Sequence, residues 1–510
     1  MDVFGLTFTF WTIVKTVFIL WLFSVIYDWL AVFAWRRKYK LKGKFPFPVV
    51  GTLPYVIGRS WDDVDNEMLQ KYGPVSAGSV GKMKIISVAD IGLMKKIFVK
   101  EHVHFQNRFT IDSFDPWPMN KTLLSLKDEQ WKRVRNIITP TFSAGKLKKM
   151  TKEINYCAEL LTSGLIEKAK SGEEVDSRKH LGCYTMDVIA STAFGIRTDA
   201  YNNPDDSFVS LAQKVFGSSS FNPIALLAML FPDLAGFLVK MFGISVYYPK
   251  DSLAFFVDVI KKIIKERQEK GDTERTDMLQ LMMNAELQVG TEDGTQSVKK
   301  LSLDELLGQG IIGFVAGYET TALLLTYLSY VLATHRDVQK KLQDEIDEHV
   351  PAEATEVTYD VVMEMPYLDQ VINETLRMYP PVTKMNRTTP KHEDVEIDGH
   401  WFPRDTMISY SIWQVHHCLG LYPEPEKFIP ERFSSEEKAK RDPFVFMPFG
   451  HGPRNCIGMR LALLEAKIAT VAVLRKLKFV KCAETEEKLQ LIKESFLRPK
   501  NPIKVGVVLR

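Results

Sequence analysis

The segment best suited to chemistry is Phe449-Gly-His-Gly-Pro-Arg-Asn-Cys-Ile-Gly458. Its glycines and proline predict a tight loop that brings backbone close to something flat or bulky. Met459–Leu477 follows with apolar residues at helical spacing, which places Cys456 at the start of a helix. Backbone N–H groups and the positive end of the helix dipole favour a thiolate there. A thiolate in a protected, glycine-walled loop is a good iron ligand, and its electron donation favours O–O cleavage. A lone cysteine before a helix is ordinarily just a core residue. A glycine-rich loop at a helix start can also cradle phosphate, but the Gly-x4-Gly-Lys-Ser/Thr pattern is missing here.

Two further groupings carry charge or polarity where an apolar core would not. Glu374 and Arg377 are i,i+3 neighbours on a helix that starts at Pro366 and stops before Pro380-Pro381. On a surface such a pair contributes under about 1 kcal/mol. Ala316-Gly-Tyr-Glu-Thr-Thr321 interrupts an otherwise apolar run, Leu303–His335. Ser302 and Glu305 have capping-box spacing at its start. At roughly 33 residues the helix would run about 50 Å, long enough to cross a domain.

The elements that must position these groups are mostly helical. Amphipathic runs cover Lys146–Lys170, Asp251–Glu269, Leu303–His335 and Pro366–Tyr379. Val75–Val80 and Met83–Val88, joined by Gly81-Lys82, predict a hairpin. Strand-like pieces recur at Val395–Trp401, Lys478–Lys481 and Lys504–Leu509. The expected fold is mainly α with a small β region. Preceding it, Val3–Trp35 is apolar but for Lys15 and Asp28, with Trp11, Trp21, Trp29 and Trp35 spaced along it. This is enough for a transmembrane helix, and too long, without a small-residue cleavage site, for a signal peptide. Arg36, Arg37, Lys38, Lys40, Lys42 and Lys44 follow, so the positive-inside rule keeps the body in the cytosol. Phe45-Pro-Phe-Pro-Val-Val-Gly51 predicts a stiff connector. The expected division is an anchor over 1–35, a connector over 36–54 and a catalytic domain over 55–510. Phe221–Val246 is either a second membrane contact or a pair of core-facing helices.

Composition excludes other classes. The net charge of +3 and the lack of a basic-aromatic module argue against nucleic-acid binding. The five cysteines, Cys157, Cys183, Cys418, Cys456 and Cys482, are sparse and lack zinc-ligand spacing, which suits a reducing compartment. All but Cys456 are expected to be small buried hydrophobes.

Phe449-x-x-Gly452-x-Arg454-x-Cys456-x-Gly458 resembles the signature of the cytochrome P-450 superfamily. Glu374-Thr-Leu-Arg377 resembles its ExxR helix, and Phe428-Ile-Pro-Glu-Arg-Phe433 its PERF segment. Ala316–Thr321 resembles its oxygen-activating stretch, and Trp131-x-x-x-Arg135 its propionate-contacting helix. All five occur in family order. The resemblance implies the cytochrome P-450 fold and haem b, with Cys456 as axial ligand of the iron. Phe449, Gly450, Gly458 and Ala316 would border the haem. Trp131, Arg135, Arg387 and Arg454, with Arg108 less firmly, would meet its carboxylates, a task suited to the planar guanidinium fork. Glu374, Arg377 and Arg432 would form a buried network bracing the cysteine loop. Glu319 and Thr320 would deliver protons during dioxygen cleavage, with Gly317 clearing the haem face. Phe114, Val315 and Val382 would line the substrate pocket.

The wider motif context resembles the microsomal drug- and steroid-oxidising group, third family and subfamily A-like. That implies an endoplasmic-reticulum monooxygenase acting on lipophilic compounds. These residues contain no nicotinamide fingerprint, so electrons are expected from NADPH through the membrane-bound cytochrome P-450 reductase, with cytochrome b5 a further partner. Lys132, Arg133, Lys146, Lys148, Lys149 and Arg460 would form a basic docking face. Two rival functions remain: a haem-thiolate isomerase that rearranges a peroxide without external electrons, and a non-catalytic haem protein that binds a ligand.

Overall fold

The structure, a computed structural model, describes residues 2–3, 6–7, 10–111, 115–203, 209–211, 214, 223–242, 248–271, 273–285, 287–290, 296–494 and 496–510. Helices dominate and pack around the long central helix, Leu303–Thr334. Its capping box forms as expected: Ser302 Oγ accepts the Glu305 N–H, and the Glu305 carboxylate accepts the Ser302 N–H at 2.9 Å. The helices Ala144–Ser171, Ser177–Phe194, Pro366–Met378 and Met459–Leu474 share one apolar core with it. Gly317 serves this packing and not the clearance expected of it. A Cβ at Gly317 would stand 2.7 Å from Ile189 Cδ1 on Ser177–Phe194, so the missing side chain lets two helices approach.

The predicted hairpin forms, with Val75 opposite Val88 and Val80 opposite Met83. Met83–Val88 then pairs in parallel with Met407–Ser411, which pairs antiparallel with Lys384–Thr388. That last register sets Arg387 opposite Ile408 and fixes the arginine on a sheet. The C-terminal strands pair as Leu477–Val480 with Lys504–Leu509, and the latter also holds Val175–Asp176. Val395–Trp401 is not one strand. It is a hairpin of Val395–Ile397 and His400–Phe402, turned at Asp398 and Gly399, which have φ of +51° and +78°. The turn-favouring Asp-Gly pair explains the difference.

The apolar N-terminal stretch forms the helix Phe10–Lys38. Large apolar side chains from Trp11 to Leu30 are exposed, whereas Val32 and Trp35 are buried in a second core with Ala77, Ile86 and Phe98. Arg36 donates to the carbonyls of Lys44 (2.5 Å) and Ala77 (2.8 Å), and Trp29 Nε1 to that of Pro46 (2.7 Å). Asp28, the one acidic residue of the helix, pairs with Lys82 at 3.1 Å. The helix therefore enters the body at its C-terminal end, past the residue where composition alone would end it. Pro223–Leu230 and Pro232–Phe242 are helical, and the second exposes Leu234, Phe237, Met241 and Phe242. Residues 221, 222 and 243–246 of that region lie outside the described residues. All five cysteines are free. Cys157 and Cys183 are buried as expected, but Cys418 and Cys482 are only partly so, because both lie in loops.

Candidate haem site

The cysteine loop is closed by its own backbone. The Gly450 N–H donates to Met447 O (3.0 Å), the Asn455 N–H to Gly452 O (3.0 Å), and the Cys456 N–H to Phe449 O (2.9 Å). Gly450 and Gly452 have φ of +71° and +76°, a region costly for other residues. A Cβ at Gly452 would also collide with Phe98 O at 2.0 Å. Gly458 caps the helix Met459–Leu474. The Cys456 side chain presents accessible surface while protein surrounds it closely. Burial pushes its thiol pKa up, against the N–H groups of Gly458 and Met459 and the nearby Arg108 and Arg135, which favour the thiolate.

Behind the loop lies the Glu374 network. Arg377 makes a two-pronged pair with Glu374, both bonds at 2.8 Å, with neither side chain exposed. Arg377 also donates to the carbonyls of His416 (2.9 Å) and Lys427 (3.3 Å), and Glu374 accepts the Ile429 N–H at 3.0 Å. Arg432 Nε stands 3.4 Å from Glu374 without hydrogen-bond alignment, while its Nη2 donates to Glu424 O at 2.9 Å. The three expected residues meet.

Four other arginines converge on the thiol side. Arg454 donates to the carbonyls of Gln106, Leu123 and Leu126 at 2.7–2.9 Å and lies over the buried Trp131 ring, 4.0 Å from its centre. Arg135 holds the Asn455 carbonyl and side chain at 3.1 and 2.9 Å. Arg108 donates to Arg454 O at 3.2 Å, and its buried Nε has no partner among the described residues. Arg387, 2% exposed, stacks on Phe98, and among the described residues its side chain hydrogen-bonds only its neighbour's carbonyl, Asn386 O, at 2.8 Å. His102, unremarked in the sequence, faces the same cluster with a buried Nε2 that has no partner among the described residues. Burial, then Arg387, Arg454 and Lys132, hold its pKa below the usual histidine value.

The central helix contributes a strip of open surface within its buried length. Ala316 is exposed, Val315 and Thr320 partly so, and Thr320 Oγ1 donates to Ala316 O at 2.7 Å. Glu319 points elsewhere. It is 1% exposed and is held by Arg178 at 2.6 Å and Arg498 at 3.5 Å. No motif signals those two arginines, which lie far from Glu319 and from each other in sequence. Val382 is partly buried and bridges to Phe496, whereas Phe114 lies outside the described residues.

The cytochrome P-450 family model matches residues 41–507. The chain belongs to the cytochrome P-450 family. It is 39% identical over 477 residues to cytochrome P-450 3A25 of Mus musculus and 40% identical over 477 residues to cytochrome P-450 3A2 of Rattus norvegicus. It is 41% identical over 475 residues to cytochrome P-450 3A16 of Mus musculus. Each alignment covers 93% of this chain and 92% of the relative. This cytochrome P-450 is a haem-thiolate monooxygenase that takes haem b, a lipophilic substrate and electrons from a redox partner.

The residues present fit that cofactor. Among the described residues, Arg108, Arg135, Arg387 and Arg454 form no ion pair, although each is at least partly buried. Burial, then Arg108 and Arg135, bring the Arg454 pKa down to about 9. Burial, then Arg108 and Arg454, hold Arg387 well below the usual arginine value. Against these four arginines the described chain sets Asp128 near Arg454 and the Cys456 sulfur near Arg108 and Arg135, so the cluster favours further anions. Haem brings two carboxylates, and a thiolate beside Arg108 and Arg135 adds a third negative charge.

Proposed function

We propose that this monooxygenase inserts one oxygen atom of O2 into lipophilic xenobiotics or steroids at the endoplasmic-reticulum membrane. In this reading Cys456 is the iron ligand, and NADPH supplies two electrons through the membrane-bound cytochrome P-450 reductase, with cytochrome b5 as a further donor. The second oxygen atom leaves as water with two protons. The observation that carries the reading is the cluster of Arg108, Arg135, Arg387 and Arg454, which form no ion pair among the described residues, with Arg108 and Arg135 beside the Cys456 thiol. Haem bound there supplies reductive oxygen activation.

The chain's own groups do the rest. The Gly458 and Met459 N–H groups hold negative charge on the sulfur, and Arg108 and Arg135 add to that field. Arg387 and Arg454 would grip the haem carboxylates. Thr320 Oγ1, turned onto Ala316 O, both accepts and donates a proton on the open strip of the central helix. Glu319 is held by Arg178 and Arg498 away from that strip, so its carboxylate would have to turn from those two arginines to pass protons to Thr320. Ala316, Val315 and Val382 would border the substrate and limit water.

Residues 1–35 would anchor the chain, with the exposed Leu234, Phe237, Met241 and Phe242 as a second lipid contact. The Arg36–Lys44 run would hold the body on the cytosolic side, with 36–54 as connector and 55–510 as the catalytic domain. On the thiol side, Lys132, Lys149 and Arg460 are exposed and would receive an acidic reductase. Lys146 is partly exposed, Lys148 already pairs with Asp360 at 2.7 Å, and Arg133 is drawn away to Glu305.

The test combines purified full-length protein, reductase and NADPH with a panel of steroids, fatty acids and drugs. Substrate-dependent NADPH consumption with a hydroxylated product is expected. Cys456→Ser should abolish both, together with the thiolate-type ferrous–CO band. Turnover of a peroxide substrate without NADPH, and no hydroxylation with it, would overturn the reading.

A further inference from the structure

We propose that His416 is a positioning residue for the cysteine loop, tying the Glu374–Arg377 pair to the backbone that presents Cys456. This rests on reading Cys456 as the iron ligand. His416 ends the short helix Ile412–His416 and is fully buried. It touches both sides of the junction through different atoms. Its carbonyl accepts from Arg377 Nη1 at 2.9 Å. Its ring Nδ1 lies 3.2 Å from Arg377 O, and its Nε2 lies 3.1 Å from the Met447 backbone nitrogen.

Those two ring contacts assign the proton. A peptide N–H can only donate, so Nε2 carries the lone pair. A carbonyl oxygen can only accept, so Nδ1 carries the hydrogen. The imidazole is therefore neutral and in one tautomer. Its surroundings agree, since burial, then His417 and Arg377, hold its pKa well below the usual histidine value.

Met447 is where the loop starts. It is buried, its sulfur accepts from Tyr410 Oη at 3.2 Å, and its carbonyl accepts the Gly450 N–H. Phe449 O, two residues on, accepts the Cys456 N–H. A continuous set of hydrogen bonds thus runs from Glu374 through Arg377, His416 and Met447 into the loop. Without an acceptor at His416, the buried Met447 N–H would be orphaned, which a loop this short relieves by moving. The alternative is that the ring merely fills space, since it also stacks on Phe446 with centres 5.4 Å apart.

Two substitutions in the full-length protein separate these roles. His416→Phe keeps the ring and removes both polar contacts. His416→Gln loses the ring but can bring an amide oxygen to the Met447 N–H. The readouts are secondary structure by circular dichroism, the fraction of thiolate-type ferrous–CO band, and the rate of haem transfer to a scavenger protein. The expected result is a folded His416→Phe with a diminished thiolate band and haem loss faster by about tenfold or more, and a His416→Gln closer to wild type on both counts. A wild-type spectrum and haem-loss rate in His416→Phe would overturn the proposal. If His416→Phe does not fold, His416→Gln decides: a folded variant with the wild-type band supports the tether, and a folded variant without it refutes the tether. If the wild-type protein lacks the thiolate band, or Cys456→Ser keeps it, the ligand reading fails instead.

Discussion

Arg377 and Arg387 are ten positions apart, nearly equally buried and both close to the cysteine loop, yet their surroundings are opposite. Arg377 meets a carboxylate through two bonds and two backbone carbonyls besides. Arg387 meets one carbonyl of its neighbour and an aromatic face, while Arg108 and Arg454 repel it. A buried cation must be neutralised. Where the counter-charge is in the chain, the arginine holds the fold together. Where it is not, the arginine is free to meet a bound anion. The helix Pro366–Met378 is therefore scaffold, and on the proposed function the strand Lys384–Thr388 would belong to a binding site.

The largest test of this contrast removes a partner from the first set. Glu374→Gln or Arg377→Leu leaves a buried charge unpaired and should destabilise the protein by roughly 3–5 kcal/mol, in haem-free and haem-loaded protein alike. Denaturant midpoints of both forms measure it, and a loss confined to the loaded form would break the contrast.

Arg387→Met should behave differently. The haem-free protein should keep or gain stability, because a repelled cation is gone. Haem should dissociate faster by up to a hundredfold, about 3 kcal/mol. Equal destabilisation of both forms would put Arg387 with Arg377.

A buried acid sharpens the comparison from the opposite sign. Asp62 is fully buried; its Oδ1 accepts from Ser411 at 2.5 Å and its Oδ2 has no hydrogen-bond partner among the described residues. Burial, resisted by Lys384 and the Ser411 hydrogen bond, raises its pKa to about 6. A carboxyl that protonates more readily folded than unfolded favours the fold when protonated. That contribution is whole below about pH 4 and is lost as pH rises through about 6. Asp62→Asn should thus match wild type near pH 4 and exceed it above pH 6 by on the order of 2 kcal/mol. Parallel stability curves from pH 4 to 7 would remove Asp62 from the class of under-compensated buried charges.

Much of this was legible in the sequence because it is written in local patterns. The central helix announces itself by its apolar run and the Ser302–Glu305 box, and the cysteine loop by its glycines. The N-terminal helix and the central helix are both apolar enough to span a membrane, with mean hydropathies of 2.1 and 1.4, yet the first is almost wholly exposed and the second mostly buried. Composition cannot separate them. The basic run beside the first predicts an anchor, but it could not reveal that Val32, Trp35 and Arg36 are claimed by the body. The use of Gly317 was illegible for a similar reason, since what a glycine admits depends on which helix lies opposite.

By itself, the order of residues determined that a thiol would stand at the head of a helix on a glycine-bound loop, and that Glu374 and Arg377 would share a helix face. These follow from rise per residue and local backbone sterics, which act within a few positions. Only the tertiary structure decided that Arg108, Arg135, Arg387 and Arg454 would gather without an ion pair among the described residues, that Glu319 would be held by Arg178 and Arg498, and that His416 would reach the Met447 N–H. Those neighbours come together across tens to hundreds of residues. Burial, which turns an ordinary arginine or histidine into a functional one, exists only once the chain has closed around it.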